Sequence, residues 1–182
     1  MALNIEQLAL SITPILKRIY LRQTGAAWAA AGDTLSIDAA FDVDNPFIQG
    51  VLATIVERAK GIAETTRDDI RLLVGTAADQ GWSVGELADA IREKAAIASR
   101  ERAEMIVVTE TARAYSLGSK AAYRASGVVT AMEWLTAPDC CEDVCEPLNG
   151  KRVALDGVFA EGISEPPAHP RCRCSLAPVV GA

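Results

Sequence analysis

The stretch PPAHPRCRCSLAP, residues 166–178, contains the only histidine of this 182-residue chain and two of its five cysteines. The other three cysteines lie upstream in DCCEDVC, residues 139–145, so that all five fall within the last 43 residues. A structural zinc site usually draws its four ligands as two close pairs from separate segments. The sequence therefore predicts a metal site that joins these two segments and organises the C-terminal part of the fold.

The spacing of the cysteines and the histidine favours one set of four ligands. Cys141 and Cys145 are separated by three residues, and His169 and Cys172 by two, which are spacings typical of zinc ligand pairs. Cys174 is the main substitute, because alternate residues of an extended chain face the same side. The predicted ligands are thus Cys141, Cys145, His169 and Cys172.

Cys140 is a further substitute, although adjacent cysteines rarely bind one metal together. We expect the zinc to be structural, because a small β unit buries too little apolar area to be stable alone. A catalytic zinc would keep an open position, and the sequence has no HExxH-type helix. Two alternatives remain open: reduced buried cysteines without a metal, and disulfides formed in an oxidising medium.

Upstream of this region the chain is predicted to be mainly helical, since half of its residues are apolar and only 5% are aromatic. Apolar residues at three- and four-residue spacing predict an amphipathic helix over the first 22 residues, weakened at Pro14. A connector with little regular structure is expected next. A second helix is predicted from Asn45-Pro46 to near Gly61, with Asn45 as its cap.

Capping residues predict three further helices, which begin at Thr65 or Thr66, at Ser83 and at Ser99. After Gly127 the pattern changes, because the β-branched, alternating VVTAMEWLTA (128–137) predicts a strand. Asn149-Gly150 then predicts a type I′ turn before a second strand.

The predicted fold class is α+β, a mainly helical body with a small C-terminal β-hairpin unit organised by the Cys/His cluster. Three domains are predicted: the N-terminal helix and connector at 1–44, the helical body at 45–126, and the small Cys/His β module at 127–182.

One polar cluster on the predicted long helix has two interpretations. Arg102, Glu110 and Arg113 fall at spacings of eight and three residues, close to one side of the helix. The favoured interpretation is a solvated ladder of ion pairs. The alternative is a functional cluster in which Glu110 serves as a general base and Arg102 or Arg113 clamps an anion.

With a net charge of −6, the chain has no overall attraction to nucleic acid or to an anionic membrane surface. From Gly127 onward four basic residues stand against eight acidic ones, so this part of the chain is a poor phosphate binder. Nor does any run approach the roughly 20 apolar residues that span a bilayer.

The order of these features resembles the phage head morphogenesis family typified by the Mu F minor head protein. The resemblance covers roughly residues 45–176. The stretches that carry it are TETARAYSLG (109–118), GVVTAMEWLTAPD (127–139), Cys145-x-x-Leu148-x-Gly150 and PPAHPRCRC (166–174).

Carried over position by position, the family signature in this chain falls on Thr109, Glu110, Arg113, Trp134, Asp139, Cys145, Leu148, Gly150, Pro167, His169, Pro170, Cys172, Arg173 and Cys174. One departure concerns the first ligand pair. The family commonly has C-x-x-C, which would place a cysteine at position 142, whereas this chain has Glu142 and offers Cys141 or Cys140.

The resemblance implies a minor capsid component without enzymatic activity, present in few copies and associated with the portal during prohead assembly in the bacterial cytoplasm. It implies a final location in the virion. The expected partners are the portal protein, the major capsid protein or both, with a contact to genomic DNA, and neither a membrane nor a small-molecule substrate. The alternatives are a zinc-supported nucleic-acid-binding protein, or an enzyme that uses Glu110 with Arg102 or Arg113.

Overall fold

The computed structural model describes residues 5–38, 40–79 and 84–181. Helices dominate up to residue 126, and a small sheet follows, which confirms the predicted α+β class. The helices are α1 (Ile5–Leu35), α2 (Pro46–Ala53), α3 (Ile55–Asp79) and α4 (Val84–Ser126). Over the residues described, none of them offers a stretch long and apolar enough to cross a bilayer.

Helix α1 is longer than its sequence predicts. It continues through Pro14 and ends at Leu35, so the prediction of a connector after residue 22 is wrong for its first part. The run GAAWAAAG, residues 25–32, is rich in alanine, whose helix propensity outweighs the two glycines. Ala27, Trp28 and Ala31 are buried there, so packing supports the extension.

The start of α2 agrees with the prediction, because the Phe47 N–H donates to Asn45 Oδ1 at 2.9 Å. The predicted end near Gly61 is wrong, since α2 ends at Ala53 and α3 begins at Ile55. The predicted restart at Thr65 or Thr66 is also wrong. The Thr65 hydroxyl donates to the Gly61 carbonyl at 2.8 Å, a bond back into its own helix rather than a cap.

Helix α4 is a single element of 43 residues, so the predicted start at Ser99 is wrong. Ser83 lies outside the described residues. Gly118 does not interrupt α4, and it marks a close approach to α1. A Cβ added at Gly118 would lie 2.6 Å from Thr24 Cα. The helix ends before Gly127, whose φ of 67° is the left-handed conformation that glycine adopts readily.

Three antiparallel strands form the sheet: β1 (Val129–Leu135), β2 (Arg152–Ala154) and β3 (Ser175–Val180), in the order β2-β1-β3. β1 and β2 were predicted, whereas β3 was missed. The turn before β2 is type II and not type I′, because Asn149 has φ −57° and ψ 127° while Gly150 has φ 73°. The Lys151 N–H closes it on the Leu148 carbonyl at 3.0 Å.

The chain divides into two compact units, and both α1 and α4 contribute residues to each of them. The first unit comprises residues 1–16 and 54–105, and its described buried side chains include Leu16, Ile55 and Ala59. The second comprises residues 17–53 and 106–182 and contains the whole sheet. The domain limits expected from the sequence remain a prediction.

The core of the second unit lies between the sheet and its helices. Trp134 of β1 is fully buried, and its ring meets that of Phe159 edge to face, with centroids 5.2 Å apart. Side chains of α4 fasten the C-terminal segments to this core. The Tyr123 hydroxyl donates to the Leu176 carbonyl at 3.0 Å, and Lys120 Nζ lies 2.8 Å from Glu165 Oε2.

Candidate metal centre

The segment after β1 folds into a turn that brings two thiols to the same side. The Cys145 N–H donates to the Cys141 carbonyl at 3.2 Å and also lies 3.3 Å from Cys141 Sγ. The contact from the Cys145 N–H to Cys141 Sγ lowers the pKa of the Cys141 thiol, because it stabilises the thiolate. Cys145 is fully buried, and burial raises the pKa of its thiol.

A second turn, at residues 169–172, brings His169 and Cys172 to the same place. The Cys172 N–H donates to the His169 carbonyl at 3.1 Å. His169 Nδ1 lies 2.7 Å from the Pro170 carbonyl oxygen, which can only accept, so Nδ1 carries the proton. In the neutral tautomer with this proton, Nε2 has the free lone pair that a metal-binding imidazole requires.

The two turns bring sulfur and nitrogen donor atoms close together. His169 Nε2 lies 3.3 Å from Cys141 Sγ and 3.2 Å from Cys145 Sγ. Cys145 Sγ lies 3.7 Å from Cys172 Sγ. With Zn–S bonds of about 2.3 Å, two sulfurs of a tetrahedral site lie about 3.8 Å apart. The Cys/His donor set fits zinc, and the separation of 3.7 Å between Cys145 Sγ and Cys172 Sγ is close to the tetrahedral value.

The candidate ligand atoms form two groups of three that share Cys145. One group is Cys141, Cys145 and His169, and the other is Cys145, Cys172 and Cys174, with the atoms of each group within 4.8 Å of one another. Either group could hold a metal ion. Cys174 is buried, and burial raises the pKa of its thiol. Among the described residues, Cys140 belongs to neither group.

All five cysteines are free thiols in this structure. A cavity of about 270 Å³ opens beside the cluster, lined by the four predicted ligands together with Asp139 and Arg173. Arg173 forms a salt bridge with Asp139. The arginine is thus neutralised beside the cluster instead of offering an uncompensated charge to phosphate.

Glu110, the acidic member of the predicted polar cluster on α4, is buried, and this overturns the interpretation of the cluster as a solvated ladder. Glu110 is only 3% exposed, and the Tyr20 hydroxyl of α1 donates to its Oε2 at 2.8 Å. Arg113 Nε lies 3.7 Å from Glu110 Oε1, and Arg102 is partly buried. Since little of the carboxylate is accessible to a substrate, the geometry disfavours Glu110 as a general base. The hydrogen bond between Tyr20 and Glu110 was not predicted from the sequence. The four-residue spacing from Leu16 to Tyr20 was a signal that Tyr20 lies on the same face of α1 as Leu16.

The signature residues outside the cluster have separate structural roles. Trp134 fills the core, and Gly150 supplies the left-handed φ of the turn before β2. Thr109 faces the cluster from α4, since its Oγ1 accepts the Arg171 N–H at 2.9 Å. This last contact joins residues 62 positions apart, and no local pattern could have predicted it.

Comparison with known proteins gives one family. The family model described as Phage Mu protein F like protein matches residues 68–177, which include α4 from its start, β1, β2 and every candidate ligand. No curated protein and no solved structure matches the chain.

Proposed function

The chain belongs to the phage Mu protein F like family, and from this membership we propose that it is a minor component of the phage head that acts during assembly. The family implies a phage head morphogenesis protein. In the proposal the protein is present in few copies, binds the portal protein as the prohead forms in the bacterial cytoplasm, and stays in the virion. The family match over residues 68–177 is the observation that carries the proposal.

A protein partner is favoured over nucleic acid as the main contact. A head protein family suggests the portal or the capsid as partners. The net charge of −6, and the excess of eight acidic over four basic residues after Gly127, oppose binding to the phosphate backbone. A contact with the packaged genome therefore stays secondary in this proposal.

The proposal includes a structural zinc ion held by Cys141, Cys145, His169 and Cys172, with Cys174 as the substitute. The short distances among the donor atoms and the protonated Nδ1 of His169 support it. Four protein ligands fill a tetrahedral site and leave no open position for water, which is the arrangement of a stabilising zinc. The ion would tie segment 139–145 to segment 166–174.

The proposal assigns no catalytic step, in keeping with the non-enzymatic role that the family suggests. An enzymatic role for Glu110 would require a substrate to reach a carboxylate that is 3% exposed. Turnover of any candidate substrate that is lost in Glu110→Gln would overturn this part of the proposal.

The experiment that tests the assembly role is co-purification. The full chain, affinity-tagged, is expressed with the portal protein of the same phage, and in parallel with its major capsid protein. A portal complex that survives size-exclusion chromatography in 0.5 M salt is expected. The same co-purification is done with Cys145→Ser, which removes the ligand shared by both groups. Cys140→Ser is its matched control, because Cys140 belongs to neither ligand group. Association with neither protein, together with steeply salt-dependent DNA binding, would favour the nucleic-acid alternative instead.

A further inference from the structure

We infer that Thr109 of α4 is a positioning residue for the metal centre, acting on His169 through the peptide group between Pro170 and Arg171. This role depends on the zinc site proposed above. The hydroxyl of Thr109 lies at one end of a chain of hydrogen bonds, and the metal-binding nitrogen of His169 lies at the other.

The turn at residues 169–172 depends on the orientation of its central peptide. Pro170 occupies the second position, and Arg171 occupies the third with a φ of 62°. Proline followed by a left-handed residue is the pattern of a type II turn, whose third residue is usually glycine. An arginine in that conformation is strained, since its Cβ crowds the backbone. A turn with the central peptide flipped would relieve this strain.

Both polar atoms of that central peptide are engaged. The Arg171 N–H donates to Thr109 Oγ1 at 2.9 Å. The Pro170 carbonyl lies 2.7 Å from the protonated Nδ1 of His169. Flipping the peptide would break both bonds at once, and the imidazole would lose the partner that fixes its tautomer and its ring orientation. Thr109 therefore holds the peptide in the orientation that His169 needs.

The helix that carries Thr109 is itself a rigid support. The next residue, Glu110, is buried and accepts the hydroxyl of Tyr20 from α1 at 2.8 Å. Metal ligands are oriented by partners outside the coordination sphere, and loss of such a partner typically weakens metal affinity 10- to 100-fold. A hydroxyl on a fixed helix is suited to that task because its position is set before the metal binds.

The test is the zinc affinity of the full chain, measured by competition with a chromophoric chelator. Thr109→Val keeps the shape of the side chain but removes the acceptor, and about tenfold weaker zinc binding is expected. Thr109→Ser keeps the hydroxyl and should stay within about twofold of the wild type. Thr111→Val on the same helix is the matched control, since the Thr111 side chain makes no hydrogen bond within the described residues.

Cobalt(II) provides the readout that a merely structural role would not change. In Thr109→Val the thiolate-to-cobalt charge-transfer band should persist, while the d–d bands shift because the imidazole is displaced. Unchanged zinc affinity and unchanged d–d bands in Thr109→Val would overturn the inference, as would an equal loss in Thr109→Ser. If the wild-type chain takes up no zinc or cobalt, the proposed metal site itself is wrong.

Discussion

Two regions of the second unit are held together in opposite ways. The helix pair, residues 17–35 of α1 with 106–126 of α4, packs backbone against backbone where Gly118 meets Thr24. The Cys/His module, residues 127–181, has strands of only seven, three and six residues. Its two cysteine-bearing segments meet at the ligand cluster, where side-chain atoms from positions 24 to 28 apart converge.

The two regions are stabilised by different kinds of interaction. Every backbone group inside a helix finds its partner within four residues, so the helix pair needs only a close-packed face. The module has few such local bonds, and much of its chain lies in turns between short strands. A small core of this kind needs a metal or a covalent link to order it. The helix pair should therefore survive metal loss, and the module should not.

Metal removal is expected to have the largest effect and to separate the two regions. After chelation, amide exchange in β1 and β3 should accelerate roughly hundredfold or more, because structural zinc contributes on the order of 10 kcal/mol in zinc-finger peptides. Amides of residues 106–126 should keep most of their protection. The measurement is hydrogen exchange by mass spectrometry on the full chain, with and without chelator.

Cys145→Ser should reproduce the effect of chelation, since Cys145 belongs to both ligand groups. Cys140→Ser is the control and should exchange like the wild type. Equal protection of the strands with and without chelator would show that the module orders itself without metal, and the contrast between the regions would fail.

Gly118→Ala tests the helix pair, because the added methyl group would push α1 and α4 apart. The new Cβ would lie 2.6 Å from Thr24 Cα and 3.0 Å from Ala27 Cβ, which is closer than such atoms approach without movement. Overpacking of this kind typically costs about 1–3 kcal/mol, and we expect a loss near 2 kcal/mol by chemical denaturation.

Gly50→Ala in α2 is the matched control, because an added Cβ there meets no atom within 4 Å. Alanine should stabilise that helix by up to about 1 kcal/mol through its higher propensity. A gain of similar size in Gly118→Ala would mean that the helices are not in close contact at this point.

Tyr123 links the two regions, because its hydroxyl on α4 donates to the Leu176 carbonyl of β3. Tyr123→Phe should lower the free energy of unfolding by about 1 kcal/mol near neutral pH, the usual worth of one such bond. Burial raises the pKa of Tyr123 to about 12 from an ordinary 10.0. Between these values the unfolded chain loses the proton while the folded chain retains it, so wild-type stability falls as the pH rises.

The difference between wild type and Tyr123→Phe should therefore shrink from pH 10 upward and favour the variant as the pH approaches 12. Denaturant titrations of both proteins at a series of pH values would measure it. A difference that does not change across this range would contradict the buried, hydrogen-bonded tyrosine.

The contrast between local and long-range order also explains what the sequence could predict. The α+β class, β1, β2 and the Asn45 cap follow from local patterns, and the structure has all of them. Local signals failed where packing decided between alternatives. Thr65 resembles a cap, yet its hydroxyl bonds back to Gly61 inside a continuous α3. β3 was not predicted; it contains Pro178 and lies at the sheet edge, where proline is tolerated.

In the candidate site too, local spacing predicted the ligands but not the long-range contacts that support them. Spacing alone nominated Cys141, Cys145, His169 and Cys172, and the structure places their donor atoms in two groups that share Cys145, with Cys174 in the second. The support for His169 could not be predicted. The Thr109–Arg171 hydrogen bond depends on how α4 packs against the module, and the burial of Glu110 depends on Tyr20 in another helix.

The smallest expected effect concerns the surface of the module. Arg152 Nε lies 2.6 Å from Glu133 Oε2 across β1 and β2, and the arginine side chain is 64% exposed. Because solvent screens such a pair and ordering both side chains costs entropy, Arg152→Ala should change the free energy of unfolding by less than about 0.5 kcal/mol. Thermal denaturation with saturating zinc is the measurement, and Arg152→Lys controls for charge. A loss above 1 kcal/mol in the alanine variant alone would mean that cross-strand ion pairs, and not mainly the ligand cluster and core, hold the sheet together.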